Sequence, residues 1–157
     1  MRFTSAVTAA LFGAAMAAPA PQADFPRVRE SVAITEFYAR KDLLNGTLNG
    51  PVSSVSFKLS PTLNNGTAAV VSCTATAAEG ESAIDFKPTA YPCDGEKYSF
   101  QVGRPKGQGI FPITLIHQTG HGHGARGRGA VPTYCHAGGG DSLVCGQVAN
   151  VTIGLHR

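Results

Sequence analysis

The sequence predicts an all-β fold, a barrel or a sandwich built from short strands. Apolar and polar residues alternate with a period of two in several segments, as they do in strands that bury one face. Clusters rich in Gly, Asn and Pro, such as NGTLNGP, SPTLNNGT and GRPKGQG, separate these segments and are typical of tight turns. No window of a dozen residues has the period of an amphipathic helix. Short strands with little or no helix define the all-β class.

Each predicted strand shows which side chains share a face. The alternating apolar sets, in chain order, are Val55, Phe57 and Leu59; Ala69, Val71 and Cys73; Tyr98, Phe100 and Val102; and Ala149, Val151, Ile153 and Leu155. Serine, lysine, glutamine, asparagine and threonine occupy positions between them. These segments are therefore expected to be half-buried strands, with the apolar set toward one core.

The first residues are predicted to be a secretory signal peptide. Residues 1–17 combine one positive charge, an apolar run and small residues at Ala15 and Ala17, where a signal peptidase needs them. Cleavage after Ala17 would leave a proline-rich stretch, residues 18–30, which is expected to form an extended N-terminal arm. Residues 31–157 are then predicted to form one β-barrel or sandwich domain, since about 140 residues suffice for one core. The mature protein is expected to be soluble, secreted and extracellular.

Charge is unevenly distributed along the chain. Nine acidic and six basic side chains lie between Asp24 and Glu96, whereas six basic residues and a single acidic one follow from Lys97 onward. All the histidines belong to this C-terminal part, namely His117, His121, His123, His136 and His156. Because histidine gains charge as the pH falls through about 6.5, this part becomes more basic in an acidic fluid.

Four cysteines predict two disulfide bonds in a secreted chain of this size, and they are Cys73, Cys93, Cys135 and Cys145. Three connectivities are open, and local pairing of Cys73 with Cys93 and of Cys135 with Cys145 is the simplest. Each closed loop would stabilise the fold by about 3 kcal/mol in the chain-entropy model. A zinc site would need paired ligands such as C-x-x-C, which do not occur, so no metal or other cofactor is expected.

The tetrapeptide GDSL at residues 140–143 raises the hypothesis of an esterase whose nucleophile is Ser142. A nucleophilic serine needs a histidine base and a third group that orients the histidine. In the lipase and esterase class with this signature an aspartate stands three residues before the histidine, whereas Ile153 stands three before His156 here. A tight glycine-rich turn explains the same residues better, and no catalytic site is predicted.

The segment TGHGHGARGRGAV, residues 119–131, is unlike the rest of the chain. Its G-x-G-x-x-G pattern does not predict a dinucleotide site, because no helix can start well in the residues that follow. His121 and His123 could share a strand face and hold Cu(II) or Zn(II), but an exposed turn that chelates metal only adventitiously is favoured. Arg126 and Arg128 could meet only a few phosphates, so RNA is not an expected partner.

Three N-x-[ST] sequons predict N-glycosylation sites, and they begin at Asn45, Asn65 and Asn150. Asn45 and Asn65 lie in turn sequences and are expected to be accessible. Asn150 falls inside the last predicted strand and faces outward, where the strand could restrict access.

Three longer fragments are specific enough to suggest a family. They are AITEFYARK at residues 33–41, SVSFKLSPTLNNGTAAVVSC at 54–73 and VPTYCHAGGGDSLVCGQVANVTIGL at 131–155. The order E-F-Y-x-R-K, then P-x-Y-C-x-A-G-G, then V-C-x-x-V-A resembles the family of the Alternaria major allergen. These are small secreted fungal proteins that include elicitors of plant cell death. The resemblance extends over nearly the whole mature chain.

This resemblance implies a single compact antiparallel β-barrel with disulfides Cys73–Cys93 and Cys135–Cys145. It also implies binding rather than catalysis, since members are described as allergens and as effectors that bind plant defence proteins, including thaumatin-like proteins, or small phenolics at a dimer interface. The founding member has a further N-terminal cysteine that joins two barrels, whereas the arm ADFPRVRE has none. A disulfide-linked dimer is therefore not expected.

The predicted function is that of a secreted non-enzymatic binding protein, an effector, elicitor or allergen-like protein that engages a host extracellular protein. The alternative is a carrier of small aromatic or phenolic ligands, and neither nucleic acid nor membrane is an expected partner. Alignment with the family places residues 119–122 in a hairpin turn and 125–131 in a returning strand, which its glycines should make a poor strand. The predicted partner-specific, pH-responsive surface is the hairpin with His121, His123, Arg126 and Arg128.

Overall fold

A computed structural model describes residues 30–43, 50–63, 66–67, 69–86, 88–107, 109–120 and 123–157. Within these ranges the chain forms ten β-strands and no helix, so the all-β prediction is confirmed and no helix spans a membrane. The strands are β1 (Glu30–Asp42), β2 (Val52–Leu63), β3 (Gly66–Thr67), β4 (Val71–Thr76), β5 (Tyr91–Pro92), β6 (Tyr98–Val102), β7 (Ile110–Gly120), β8 (His123–Ala137), β9 (Ser142–Gln147) and β10 (Val151–Leu155). The predicted signal peptide, residues 18–29 of the predicted arm, Asn45, Asn65 and His121 lie outside the described residues, as does the side chain of His123.

The described strands form one antiparallel sheet that is nearly closed into a barrel. Strand β1 pairs with β2 on one side and, on the other, with β10 near its start and with β9 near its end. From β9 the order continues through β8, β7 and β6 to β5. A bridge between Cys73 and Cys93 then leads back to β4, which pairs with β2. The fork of β9 and β10 beside β1 is the feature that positions the candidate site.

A β-bulge in β1 decides which of its side chains face the core. The register with β2 shifts between Thr35 and Tyr38, as happens when a strand carries an extra residue. Glu36 has a φ of 51°, which is uncommon for a residue other than glycine. Before the bulge the buried residues of β1 have even numbers, and after it they have odd numbers. The bulge therefore turns Tyr38 toward solvent.

Aromatic rings from four strands fill the barrel. Phe57 stacks with Phe37 at a centroid distance of 5.9 Å and meets Phe100 edge-on at 4.8 Å. Phe111 lies 5.2 Å from Phe37. All four rings are nearly or completely buried, and burying one such side chain stabilises a fold by about 1.5–3 kcal/mol. The cluster therefore ties β1 and β2 to β6 and β7 across the barrel.

The two disulfides join Cys73 to Cys93 and Cys135 to Cys145, with Cα–Cα distances of 4.3 and 3.9 Å. All four cysteines lie in the described part of the chain, and none is free. The first disulfide links β4 to the residue after β5, and the second joins facing residues of β8 and β9. Both therefore hold neighbouring strands of the barrel together.

The glycines of β8 have a packing role that the sequence did not reveal. A Cβ atom on Gly127 would overlap the carbonyl oxygen of Gly154, and one on Gly129 would lie 2.7 Å from a side-chain carbon of Ile153. Only glycine lets β10 approach β8 this closely. The predicted returning strand is present, since residues 125–131 pair with β7 from Ala125 opposite His117 to Val131 opposite Phe111. That its glycines weaken this strand stays a prediction.

The starts of β1, β4 and β10 differ from the sequence predictions. β1 begins at Glu30, the last residue assigned to the arm, and Glu30 is buried. The last strand begins only at Val151, so Asn150 precedes the strand and is exposed. Ala69 and Ala149 likewise lie outside strands and are exposed. The alternation was therefore predicted correctly within β4 and β10, but it was extended to residues that precede the first residue of each strand.

Candidate binding site

Two exposed tyrosines lie in one row on the outer face of the barrel. Tyr38 of β1 and Tyr134 of β8 both pair with Gly146 of β9, which lies between them. Tyr38 is 54% exposed and Tyr134 is 69% exposed. All four tyrosines of the chain are in the described ranges, and these two are the exposed ones. Because neighbouring strands lie about 4.8 Å apart, the two tyrosines start about 10 Å apart with no side chain between them.

These tyrosines wall an open groove of about 490 Å³ above the fork of β9 and β10, which we call the tyrosine groove. Val148, itself 61% exposed, adds an aliphatic side chain to it. One edge of the Tyr38 ring passes over Gly146, 3.7 and 3.9 Å from the position that a Cβ atom would take. The ring therefore rests against the sheet while more than half of the side chain faces solvent.

The side-chain amide of Gln147 fixes the shape of the fork. Its nitrogen donates to the carbonyl oxygens of Ile34 at 2.9 Å and of Ala149 at 2.7 Å. Its oxygen accepts a hydrogen bond of 3.2 Å from the backbone N–H of Phe37. These bonds satisfy backbone groups beside the bulge, where β9 and β10 separate. The groove floor is therefore preorganised, which lowers the ordering cost of binding a partner.

The charges beside the groove give it a basic edge. Glu36 pairs with Lys58 at 2.7 Å, and because both side chains are about half exposed the pair contributes little to stability. Arg40 and His136 lie in the next row of the same face, on either side of Val144. Both are exposed. Arg40 therefore places a permanent positive charge at this edge of the groove.

The predicted basic hairpin places its arginines elsewhere on the outer face. Arg126 and Arg128 are exposed and lie on the same face of β8 as Tyr134, nearer the hairpin turn. The backbone of Arg126 exchanges two hydrogen bonds with His156, at 2.7 and 3.0 Å, which ties the hairpin to the end of β10. The arginines and the tyrosine groove therefore belong to one strand face but do not form one cluster.

A buried polar cluster inside the barrel was missed by the sequence analysis. The carboxylate of Glu30 accepts a hydrogen bond from the Tyr98 hydroxyl, and its other oxygen lies 2.5 Å from Nδ1 of His117. The rings of Tyr98 and His117 stack at 4.2 Å. Burial, reinforced by the hydrogen bond to Glu30, raises the pKa of Tyr98 far above its ordinary value. These groups satisfy one another, so their role is structural.

The GDSL segment forms the turn that the sequence favoured. Gly139 and Asp141 lie in the turn, and Ser142 begins β9 with its hydroxyl donating to the carbonyl of Gly139 at 2.9 Å. Among the described residues, no three His, Cys, Asp or Glu side chains form a group that could hold a metal ion.

A second cavity, of about 650 Å³, brings together Lys41, Ile84, Phe86 and Arg104. The Arg104 guanidinium lies 5.8 Å above the centre of the Phe86 ring. Lys41 is buried, and this burial lowers the pKa of its ammonium group. Asp85 also lines the cavity, so two cationic side chains face one carboxylate beside apolar ones. This net positive charge suits a small anionic ligand that contains a ring.

The fold and the groove together define the class of this protein: a small antiparallel β-barrel with two disulfides and an outer surface suited to binding. The chain matches the family model described as Alternaria alternata allergen 1 over residues 34–145. It therefore belongs to the Alternaria alternata allergen 1 family, and the resemblance inferred from the sequence fragments is confirmed.

Relatives support this membership along almost the whole chain. The chain is 33% identical over 159 residues to the effector protein PevD1 of Verticillium dahliae, which covers 98% of this chain and 92% of that protein. A crystal structure of the Alternaria alternata major allergen Alt a 1 has a TM-score of 0.62 at 23% identity and covers 80% of this chain and 91% of that chain. A second Alt a 1 structure gives 0.62 at 22%, covering 88% and 95%. The structural likeness confirms the barrel fold.

Proposed function

We propose that this protein is secreted and acts as an effector that binds a host extracellular protein through the tyrosine groove. The similarity to a fungal effector protein and the family match support an effector role. We choose the tyrosine groove as the binding surface because Tyr134, Gly146 and Tyr38 form one row on the outer face beside the exposed Val148. Tyrosine and arginine are over-represented among the residues that contribute most to protein interfaces.

The basic edge of the groove favours an acidic partner surface. Arg40 and His136 are exposed beside the tyrosines, whereas the nearby Glu36 is already paired with Lys58. Plant extracellular fluid is acidic, and the family resemblance suggests a plant defence protein, such as a thaumatin-like protein, as the partner. Binding should therefore strengthen as the pH falls toward 5–6 and weaken as salt rises.

Infiltration of the purified protein into leaf tissue, followed by partner capture from the extracellular fluid, tests this function. Two valines offer a matched pair: Val148 and Val70 are 61% and 58% exposed, but Val148 lines the groove and Val70 does not. Val148→Ser should weaken both capture and the leaf response, while Val70→Ser should leave them unchanged. Unchanged capture by both variants would exclude the groove, and a wild type made without N-glycans that captures nothing and elicits nothing would exclude the effector role.

The second cavity favours one alternative function, the carriage of a small phenolic acid. Lys41 and Arg104 could meet its carboxylate or phenolate while Phe86 meets its ring. Because the chain contains no tryptophan, its tyrosine fluorescence can report a titration with a phenolic acid. Saturable quenching that Arg104→Gln weakens would support a carrier, and quenching without saturation would exclude it.

A further inference from the structure

We propose that a fraction of the secreted molecules carries an N-linked glycan on Asn150, whose first sugar packs on the tyrosine groove and prevents that fraction from binding the protein partner. The packing of the sugar follows from the position of Asn150 and from the side chains that line the groove. The exclusion of a partner also depends on the function proposed above for the groove.

Asn150 is placed at the groove by the turn between β9 and β10. It begins the sequon Asn-Val-Thr, it is exposed, and it lines the same groove as Tyr38 and Tyr134. The sequence analysis placed it inside a strand, but β10 begins one residue later. A sugar attached to its amide nitrogen would therefore begin at the edge of the groove.

The turn that carries Asn150 is held on both sides. The backbone N–H of Val148 donates to the carbonyl of Pro132 at 3.1 Å, and the Gln147 amide donates to the carbonyl of Ala149 at 2.7 Å. Immediately after Asn150, Val151 enters the ladder with β1. Because the backbone is fixed before and after Asn150, the attached sugar would remain close to the groove.

The groove suits one face of a sugar. A pyranose ring has a face of C–H groups, while its hydroxyl groups point outward around the rim. Exposed tyrosine rings and Val148 supply flat and aliphatic surface for that C–H face. The hydroxyl groups of the sugar stay in water, so no polar group is buried without a partner. The same packing would cover the side chains that a protein partner needs.

The modification has a complete chemical step. The donor is a lipid-linked pyrophosphoryl oligosaccharide of the secretory pathway. The amide nitrogen of Asn150 forms a bond to C1 of the reducing-end N-acetylglucosamine and loses one proton. The bond between C1 and the pyrophosphate oxygen breaks, and the lipid pyrophosphate leaves with the electron pair.

The test uses the full chain made in a eukaryotic secretory host, with Asn45→Gln and Asn65→Gln so that Asn150 heads the remaining sequon. Two changes at the exposed Thr152 form the matched pair: Thr152→Ala removes the sequon, and Thr152→Ser keeps it. Peptide mass spectrometry measures glycan occupancy. Nitration by tetranitromethane, followed at the peptides of Tyr38 and Tyr134, measures how far the groove is covered.

We expect a glycan on Asn150 in the parent protein and in the Thr152→Ser protein, and none in the Thr152→Ala protein. Nitration of Tyr134 should be severalfold slower in the two glycosylated proteins, and this protection should survive endoglycosidase trimming to one sugar. An unoccupied Asn150 in the parent, equal nitration rates, or loss of protection on trimming would each overturn the proposal.

Partner capture separates this inference from the proposed function. The Thr152→Ala protein should capture the host protein severalfold more strongly than the glycosylated parent. Equal capture by the two would overturn the exclusion of the partner. Slow nitration without capture by either protein would leave the sugar on the groove and refute the effector function instead.

Discussion

Tyr98 inside the barrel and Tyr134 on its outer face are the same side chain in opposite environments. Tyr98 is 5% exposed, its hydroxyl donates a hydrogen bond to Glu30 and its ring stacks on that of His117. Tyr134 is 69% exposed and faces a groove. The first therefore contributes to the stability of the barrel, whereas the second offers a surface to a partner. Burial and hydrogen bonding, rather than residue type, separate structural from binding residues here.

The first prediction compares a large interior truncation with an exterior one. Phe57→Ala removes a ring that packs on Phe37 and Phe100, and such a change in a core costs about 3–5 kcal/mol. Tyr134→Ala should change the free energy of unfolding by no more than about 0.5 kcal/mol, because it alters exposed surface. Urea unfolding followed by circular dichroism measures both. A comparable loss in Tyr134→Ala would mean that the outer tyrosine is part of the structural framework.

The second prediction concerns the hydroxyl of the interior tyrosine. Tyr98→Phe leaves Glu30 with one partner fewer in a buried site, and hydrogen bonds to charged groups contribute about 1.5–3 kcal/mol. The pKa of Tyr98 is raised in the folded protein. Its stabilisation should therefore be fully present below the unfolded pKa of about 10 and be lost as the pH rises above that value.

Unfolding free energies at pH 8 and at about pH 10.5–11, just above the unfolded pKa, measure this effect. The wild type should lose stability between the two conditions, and Tyr98→Phe should lose less. Burial also raises the pKa of Tyr91, but Tyr91 is present in both proteins and its contribution cancels. Equal alkaline losses would show that the hydroxyl of Tyr98 does not carry the predicted linkage.

The third prediction contrasts an inner glycine with an outer one. Gly127→Ala would drive a methyl group into the backbone carbonyl of Gly154, and overpacking of this kind costs about 1–3 kcal/mol. At Gly146 the added methyl would meet the Tyr38 ring at 3.7 Å, an ordinary contact. Gly146→Ala should therefore be close to neutral in thermal unfolding. If both glycines tolerate alanine equally, β10 is not held as close to β8 as described.

Local patterns predicted the parts of this fold that depend on neighbours in sequence. The alternation around Phe57, Phe100 and Ile153 identified strands with the correct buried faces. The spacing of the cysteines suggested the local disulfide pairing, which the family resemblance also implied. These features could be predicted because a strand that buries one face must alternate, whatever the rest of the fold.

The candidate site could not be predicted in the same way, because it depends on long-range pairing. The bulge at Glu36 reverses the alternation of β1 and turns Tyr38 outward, and no residue in the segment marks it. Gln147 bonds to backbone more than a hundred residues away in sequence. Glu30 joins Tyr98 and His117 only after the barrel has closed. The sequence therefore pointed to the hairpin histidines and arginines, whose regular spacing by glycines is visible without the fold.

The smallest expected effect is the pH dependence of partner binding. It distinguishes the tyrosine groove from the basic hairpin as the surface that responds to pH. Affinity for an acidic host protein should increase from about pH 7.5 to about pH 5.5, and one exposed charge pair contributes only about 0.2–1 kcal/mol. If the groove is the contact surface, His136→Gln should flatten this response, because His136 lies beside the tyrosines. His121→Gln with His123→Gln should then leave the response unchanged. The reverse result would place the contact on the hairpin, as the sequence suggested. Equal wild-type affinity at both pH values would show that no histidine contributes to partner binding on either surface.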